Sequence, residues 1–137
     1  MDNKHKIKLG ISIGDTNGIG PEVIVKTLSD QRILNFCTPV IYASPALLNK
    51  VRKALSAEHF FYQQVKSAQE LVPRKINLVT CWDYDLEVNP GQPTPESGKA
   101  SLDSLLAASK DLKNGLLDGL LTAPINKDNI QAKEFNF

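Results

Sequence analysis

The chain has 137 residues, 42% of them hydrophobic and 23% charged, which suits one ordinary globular domain rather than two. A formal net charge of +1 argues against the broad electrostatic attraction that draws basic proteins to nucleic acids or anionic lipids. Two cysteines do not make a disulfide framework, and no segment approaches the roughly 20 apolar residues of a membrane span, so we expect a cytoplasmic protein with buried thiols.

The N-terminal region predicts a strand and a helix joined by a glycine-rich loop. Residues 7–13 read IKLGISI, and the alternation of its apolar side chains predicts a strand that ends at Gly14. Pro21 suits the first turn of a helix, where its missing N–H costs nothing, and this helix is expected to run to about Leu28.

The next elements repeat the same alternation. The stretch TPVIYAS predicts a second strand, and Ser44 is a good N-cap for a helix over residues 45–55. HFFYQQV is compatible with a short strand, and RKINLVTCW predicts a further one.

The last third begins with a loop. Residues 83–95 contain three prolines and a glycine, and Thr94 then caps a long helix. We expect its leucines to share the buried face; they are Leu102, Leu105, Leu106 and Leu112. DGLLTAP predicts a strand that Pro124 stops, and a short helix is expected to begin near Asn126. Strands that alternate with helices predict an α/β fold with a mainly parallel sheet and helices on its faces.

The first candidate site is GISIGDTNGIGPEV, residues 10–23. Its glycines follow a G-x-x-x-G-x-G spacing, which fits neither the dinucleotide fingerprint nor the ATP/GTP loop. The loop nevertheless follows the first strand, where open α/β sheets bind ligands, and precedes the free N–H groups of a helix. A ligand at Gly18 and Gly20 and a plain strand-to-helix turn are both consistent with this pattern.

Two polar residues of this loop have alternative roles. Asp15 is suited either to bind a metal or a hydroxyl, or to cap the turn through its own backbone. Asn17 tolerates a left-handed backbone, which would make it a structural residue.

The second candidate site is LLTAPINK, residues 120–127. Thr122 offers a hydroxyl, Asn126 an amide and Lys127 a cation, and together they could hold a phosphate or a carboxylate. The alternative is an ordinary strand exit in which Asn126 caps the next helix and Lys127 is solvated.

The histidines do not predict a metal site. His5 and His59 lie far apart, and no spacing typical of metal ligands occurs. We therefore expect no metal ligand within this chain, and no Ser-His-Asp set can be assembled because His59 lies in a segment that the pattern does not place.

Three segments taken together resemble the 4-hydroxythreonine-4-phosphate dehydrogenase family of pyridoxal phosphate biosynthesis. The family pattern G-D-P-x-G-I-G-P-E matches residues 14–22 except at Thr16, where proline is usual. PTPESGKASLDSLLAA follows in the middle of the chain, and the family pattern T-x-P-x-x-K matches Thr122, Pro124 and Lys127.

This resemblance implies a fold, an activity and cofactors. The family has a three-layer α/β/α fold like that of isocitrate and isopropylmalate dehydrogenases, and it works as a homodimer with a cleft between two domains. Its members oxidise a phosphorylated hydroxy-amino acid with NAD(P), and the product loses its carboxyl group. A divalent metal (Zn, Mg or Co), held by three histidines, polarises the reacting oxygen.

The resemblance also implies that residues 1–137 form the N-terminal α/β portion of a longer two-domain enzyme. Family members are considerably longer, and the metal-binding histidines would follow Phe137, so this portion is expected to bind neither cofactor alone and to be inactive. Its cleft candidates are then Asp15, Asn17, Gly18, Gly20, Thr122, Asn126 and Lys127. Two alternatives are a standalone binding domain without catalysis, and a related dehydrogenase for another phosphorylated or aromatic hydroxy acid.

Overall fold

The computed structural model describes residues 7–126, and these form five strands, three α-helices and two short 3-10 helices. The strands are β1 (Ile7–Ser12), β2 (Cys37–Ala43), β3 (Gln63–Val65), β4 (Asn77–Thr80) and β5 (Gly119–Thr122). The helices are α1 (Gly20–Leu28), α2 (Pro45–Ala54) and α3 (Pro95–Lys113), and the 3-10 helices are Gln31–Asn35 and Ala68–Glu70.

All five strands lie in one parallel sheet with the order β3-β4-β2-β1-β5. In the register of the sheet, Ile11 of β1 lies between Ile41 of β2 and Leu121 of β5. The predicted α/β class and the mainly parallel sheet are therefore confirmed. The segment HFFYQQV contributes only the three-residue edge strand β3.

Alternate residues of the strands pack into two cores on opposite faces of the sheet. On one face, Ile41 and its neighbours in the sheet meet Val25 of α1 and Leu48 of α2, all fully buried. On the other face, Val40 and Tyr42 pack against Ala108 of α3. The helices thus form the two outer layers of a three-layer arrangement.

The buried face of helix α3 consists mainly of small side chains. This face includes Ser97, Ser101, Ser104 and Ala108. The prediction that four leucines share the buried face is wrong, since Leu105 is buried but Leu112 is 37% exposed. Serine and alanine allow a closer approach of helix to sheet than leucine, which leaves Leu102 and Leu106 only half-buried.

Two hydrogen bonds join α3 to the sheet at Ser104. The Ile13 N–H donates to Ser104 Oγ at 2.8 Å, and this hydroxyl in turn donates to the carbonyl oxygen of Tyr42. Farther along the helix, the Tyr42 hydroxyl donates to Asp111 Oδ2 at 2.6 Å. Burial and the nearby carboxylate raise the pKa of Tyr42 above its usual range. The end of β1 is thereby fixed to α3.

The predicted helix caps are confirmed. Ser44 Oγ accepts the Leu47 N–H at 3.2 Å, and Thr94 Oγ1 accepts the Ser97 N–H at 3.1 Å. The predicted helix near Asn126 lies outside the described residues. Over residues 7–126, no helix combines the length and apolar character that crossing a membrane requires.

The two cysteines form no disulfide and lie in different surroundings. Cys37 is buried as predicted, whereas Cys81 is partly exposed. Burial, together with the charges of Asp103 and Asp111, raises the pKa of the Cys81 thiol to about 12.

Candidate functional site

The candidate site lies where the strand order reverses, between β1 and β5. From β1 the chain proceeds to β2 and β4 on one side, and it returns to place β5 on the other side. In open α/β sheets, ligands bind outside the carboxyl ends of the strands at such a point. Because Ser12 lies beside Thr122 in the parallel register, the two loops predicted from the sequence leave the sheet side by side.

The backbones of these two loops are in direct contact. The Asp15 N–H donates to the Pro124 carbonyl oxygen at 2.7 Å, and the Ala123 N–H donates to the Ser12 carbonyl oxygen at 3.2 Å. Gly14 has a φ of +76°, and a Cβ atom at this position would lie 2.5 Å from the Pro124 oxygen. Only glycine tolerates both the positive φ and this close approach of the neighbouring backbone. The contact between the two loops therefore explains Gly14 without any ligand.

Asp15 caps the turn of the glycine-rich loop. Its Oδ1 accepts the Asn17 N–H at 3.0 Å, and its carbonyl oxygen accepts the Gly18 N–H at 3.0 Å. This geometry favours the capping alternative over a metal or hydroxyl ligand. Within residues 7–126, no group of three or more His, Cys, Asp or Glu side chains is placed to hold a metal ion.

Asn17 does not adopt the left-handed backbone that asparagine tolerates. Among the described non-glycine residues, positive φ values occur only at Ser56 and Arg74. Asn17 is instead 3% exposed, and its side chain binds the segment 89–94 that precedes α3. Sequence patterns gave no signal for this contact, because the partners are more than 70 positions away in the chain.

Helix α1 begins at the open edge of the site without a side-chain cap. Ile19 occupies the N-cap position and is 59% exposed, while Gly20 and Pro21 form the buried start of the helix. The first-turn N–H groups of a helix have no partner within the helix. A negatively charged group at this edge would therefore meet backbone donors and the positive end of the helix dipole.

Thr16 stands where the resembled pattern has proline. It is 2% exposed, and its Oγ1 has no hydrogen-bond partner among the described residues. Beside it, a cavity of about 390 Å³ separates α1 from α2, with Gly18, Glu22 and Lys50 among its lining residues. Lys50 supplies the cationic side chain of this wall, and its Nζ lies 3.4 Å from the Leu86 carbonyl oxygen.

The second predicted group is placed only in part. Thr122 is exposed at the end of β5 and Asn126 is half-buried, whereas Lys127 lies outside the described residues. Of the seven candidates, the structure brings Asp15, Gly18, Gly20 and Thr122 to one edge of the sheet, with Asn126 following on the second loop. Asn17 is engaged inside the protein. An open apolar groove of about 260 Å³ runs beside them between α1 and β5.

Comparison with known proteins gives a consistent set of relatives. A family described as "Pyridoxal phosphate biosynthetic protein PdxA" matches residues 35–137. The 4-hydroxythreonine-4-phosphate dehydrogenase of Bacteroides thetaiotaomicron is 44% identical over 134 residues, which cover 98% of this chain and 36% of that protein.

Solved structures share the fold. The crystal structure of a 4-hydroxythreonine-4-phosphate dehydrogenase from Burkholderia phymatum matches 92% of this chain and 38% of its own, with a TM-score of 0.79 and 24% identity. A terephthalate 1,2-cis-dihydrodiol dehydrogenase from Burkholderia xenovorans LB400 matches 97% of this chain and 38% of its own, with a TM-score of 0.70 and 21% identity. The chain thus spans less than two-fifths of the length of these relatives.

Proposed function

Because the chain belongs to the pyridoxal phosphate biosynthetic protein PdxA family, we propose that it is the N-terminal part of a dehydrogenase for 4-phosphooxy-L-threonine. The proposed enzyme oxidises the secondary alcohol with NAD(P), and decarboxylation then gives 3-amino-2-oxopropyl phosphate for pyridoxal phosphate synthesis. It acts as a cytoplasmic homodimer. The observation that carries this proposal is the family match over residues 35–137, supported by 44% identity to a protein named for this activity.

The chain's own residues would form one wall of the cleft. The uncapped start of α1 at Gly20 offers backbone donors to a phosphate of the substrate or dinucleotide, and Gly18 leaves space for the ligand beside it. Thr122, Asn126 and Lys127 would add a hydroxyl, an amide and a cation from the neighbouring loop. When bound, NAD(P) would accept the hydride, while these residues bind and orient anionic groups.

The described residues do not fit a divalent metal site. No suitable cluster of three His, Cys, Asp or Glu side chains occurs within residues 7–126, and Asp15 is engaged in its own turn. A metal in the proposed enzyme would therefore have to be held by residues outside this part of the chain.

The proposal is tested by assaying two proteins with 4-phosphooxy-L-threonine, NAD(P) and a divalent metal. The first is the 137-residue chain, and the second is the product of the gene read beyond codon 137. We expect turnover only from the longer product. Robust turnover by the 137-residue chain would contradict the proposal that the catalytic groups lie outside residues 1–137. A stop codon directly after Phe137, with a monodisperse protein of this length, would favour a standalone binding domain.

A second candidate is a related dehydrogenase for another phosphorylated or aromatic hydroxy acid. The observation that favours it is that a protein named for a terephthalate dihydrodiol has the same fold. Comparing kcat/KM for 4-phosphooxy-L-threonine with that for hydroxy acids lacking a phosphate would decide between them. A preference for the unphosphorylated compounds would overturn the first candidate.

A further inference from the structure

Asn17 joins the glycine-rich loop to the segment 89–94 through four hydrogen bonds. Its Nδ2 donates to the Gln92 carbonyl oxygen at 2.8 Å and lies 3.3 Å from Thr94 Oγ1. Its Oδ1 accepts the Asn89 N–H at 2.8 Å, and its backbone carbonyl oxygen accepts the Gly91 N–H at 2.7 Å. The side-chain amide therefore uses both of its donors and one acceptor position in this one contact.

The segment held by Asn17 is otherwise weakly supported. It belongs to the stretch between β4 and α3, which has no regular secondary structure, and residues 90–93 at its apex are exposed. The apex buries no apolar side chain of its own that would fix its position.

The held segment lies at the edge where the proposed ligands would bind. It rests on the glycine-rich loop through Asn17, and it leads directly into Thr94, the N-cap of α3. Pro90 of the segment lines one cavity together with Gly18, Pro21 and Glu22, so a shift of the segment would change the space beside the start of α1.

We propose that Asn17 is a positioning residue that locks the segment 89–94 onto the glycine-rich loop, so that this segment forms a fixed wall of the ligand cleft. The inference rests on the proposed function, because the wall matters only if substrate or dinucleotide binds at this edge. Asn17 acts through the segment and does not itself touch the ligand, since it is 3% exposed and its side chain is engaged.

The first test measures amide hydrogen exchange in the 137-residue chain. Asn17→Ala should speed exchange at Asn89 and Gly91 at least tenfold and leave the amide of Ile41 in the sheet unchanged. Asn17→Asp replaces both donors with a buried carboxylate oxygen that faces the Gln92 carbonyl oxygen, so exchange at Asn89 and Gly91 should rise at least as much as in Asn17→Ala. Asn49→Ala is the matched control. Asn49 is an exposed asparagine of α2 whose Oδ1 accepts a hydrogen bond from the Tyr62 hydroxyl, away from the glycine-rich loop. Unchanged exchange at both loop amides in Asn17→Ala would overturn the proposal.

The second test compares kcat and KM in the longer product. Asn17→Ala should raise KM for substrate or dinucleotide at least fivefold with kcat within twofold, Asn17→Asp should raise it at least as much, and Asn49→Ala should leave both unchanged. If Asn17→Ala does not fold, Asn17→Ser, which truncates the same amide but leaves a small polar side chain, carries the test with the same expected outcomes. Faster loop exchange with unchanged KM and kcat would overturn the positioning role and leave a purely structural contact. Failure of the proposed function would show itself differently, because the unsubstituted longer product would then have no turnover. That result would also overturn the positioning role of Asn17, but it would not affect the hydrogen-exchange result.

Discussion

Replacing Ser104 with alanine tests how the end of β1 is fixed beneath the glycine-rich loop. Ser104 is fully buried, and its hydroxyl accepts the N–H of the equally buried Ile13. Ser104→Ala leaves that N–H without a partner, and an unsatisfied buried donor costs about 1–3 kcal/mol. The lost bond to the Tyr42 carbonyl adds to this cost, so we expect the free energy of unfolding to fall by about 2 kcal/mol.

Ser101, one turn earlier on the same helix face, provides the matched control. It is 3% exposed, but its Oγ has no hydrogen-bond partner among the described residues. Ser101→Ala removes an unsatisfied hydroxyl and improves helix propensity, so stability should stay within about 0.5 kcal/mol or rise. Urea unfolding with linear extrapolation measures both variants. Equal losses in the two variants would refute the argument that the hydrogen bond to Ile13 matters.

Three further predictions concern stability. Thr16→Val removes a buried hydroxyl that has no hydrogen-bond partner among residues 7–126, so the free energy of unfolding measured in urea titrations should rise by about 1 kcal/mol. A fall in the free energy of unfolding would show that the hydroxyl is satisfied. Gly14→Ala should lower the free energy of unfolding by at least about 2 kcal/mol, because it combines a φ of +76° with a Cβ atom 2.5 Å from the Pro124 oxygen. Gly115→Ala, at a φ of +78° with nothing within 4 Å, should lower it by about 1 kcal/mol. Equal urea midpoints for the two variants would exclude the steric contribution at Gly14. Because the pKa of the Cys81 thiol is raised to about 12, the folded state keeps a proton that the unfolded state loses above a pH of about 8.5. The free energy of unfolding should therefore fall between pH 9 and 12. Cys81→Ala should flatten that decline, and an unchanged slope would assign the decline to other groups.

Local patterns predicted the elements that depend on neighbouring residues. Ser44 and Thr94 were recognisable as caps because each side chain bonds to a backbone N–H three residues later. The strands and the α/β class followed from the spacing of apolar residues. The order of the strands did not follow from this spacing. The alternation of strands and helices specifies the layers, but it leaves open on which side of β1 the strand β5 lies.

The candidate site was predictable in position but not in detail. The two loops follow β1 and β5, so their convergence depends only on these strands being neighbours. The role of Asn17 depends on partners 72 to 77 positions away, which no local pattern reveals. The buried stripe of α3 was missed because leucine was expected at its core positions. The signal was the recurrence of serine and alanine at Ser97, Ser101, Ser104 and Ala108.

The pairing of β1 with β5 has a consequence for synthesis on the ribosome. The contact between Lys8 and Asp118 that flanks this pairing spans 110 positions. At translation rates of about 5–20 residues per second, β1 emerges roughly 5–20 s before its partner. During that interval the side of β1 that β5 later covers has no neighbour in the sheet. A pause in translation before codon 119 would prolong the time for which this side of β1 is open to aggregation.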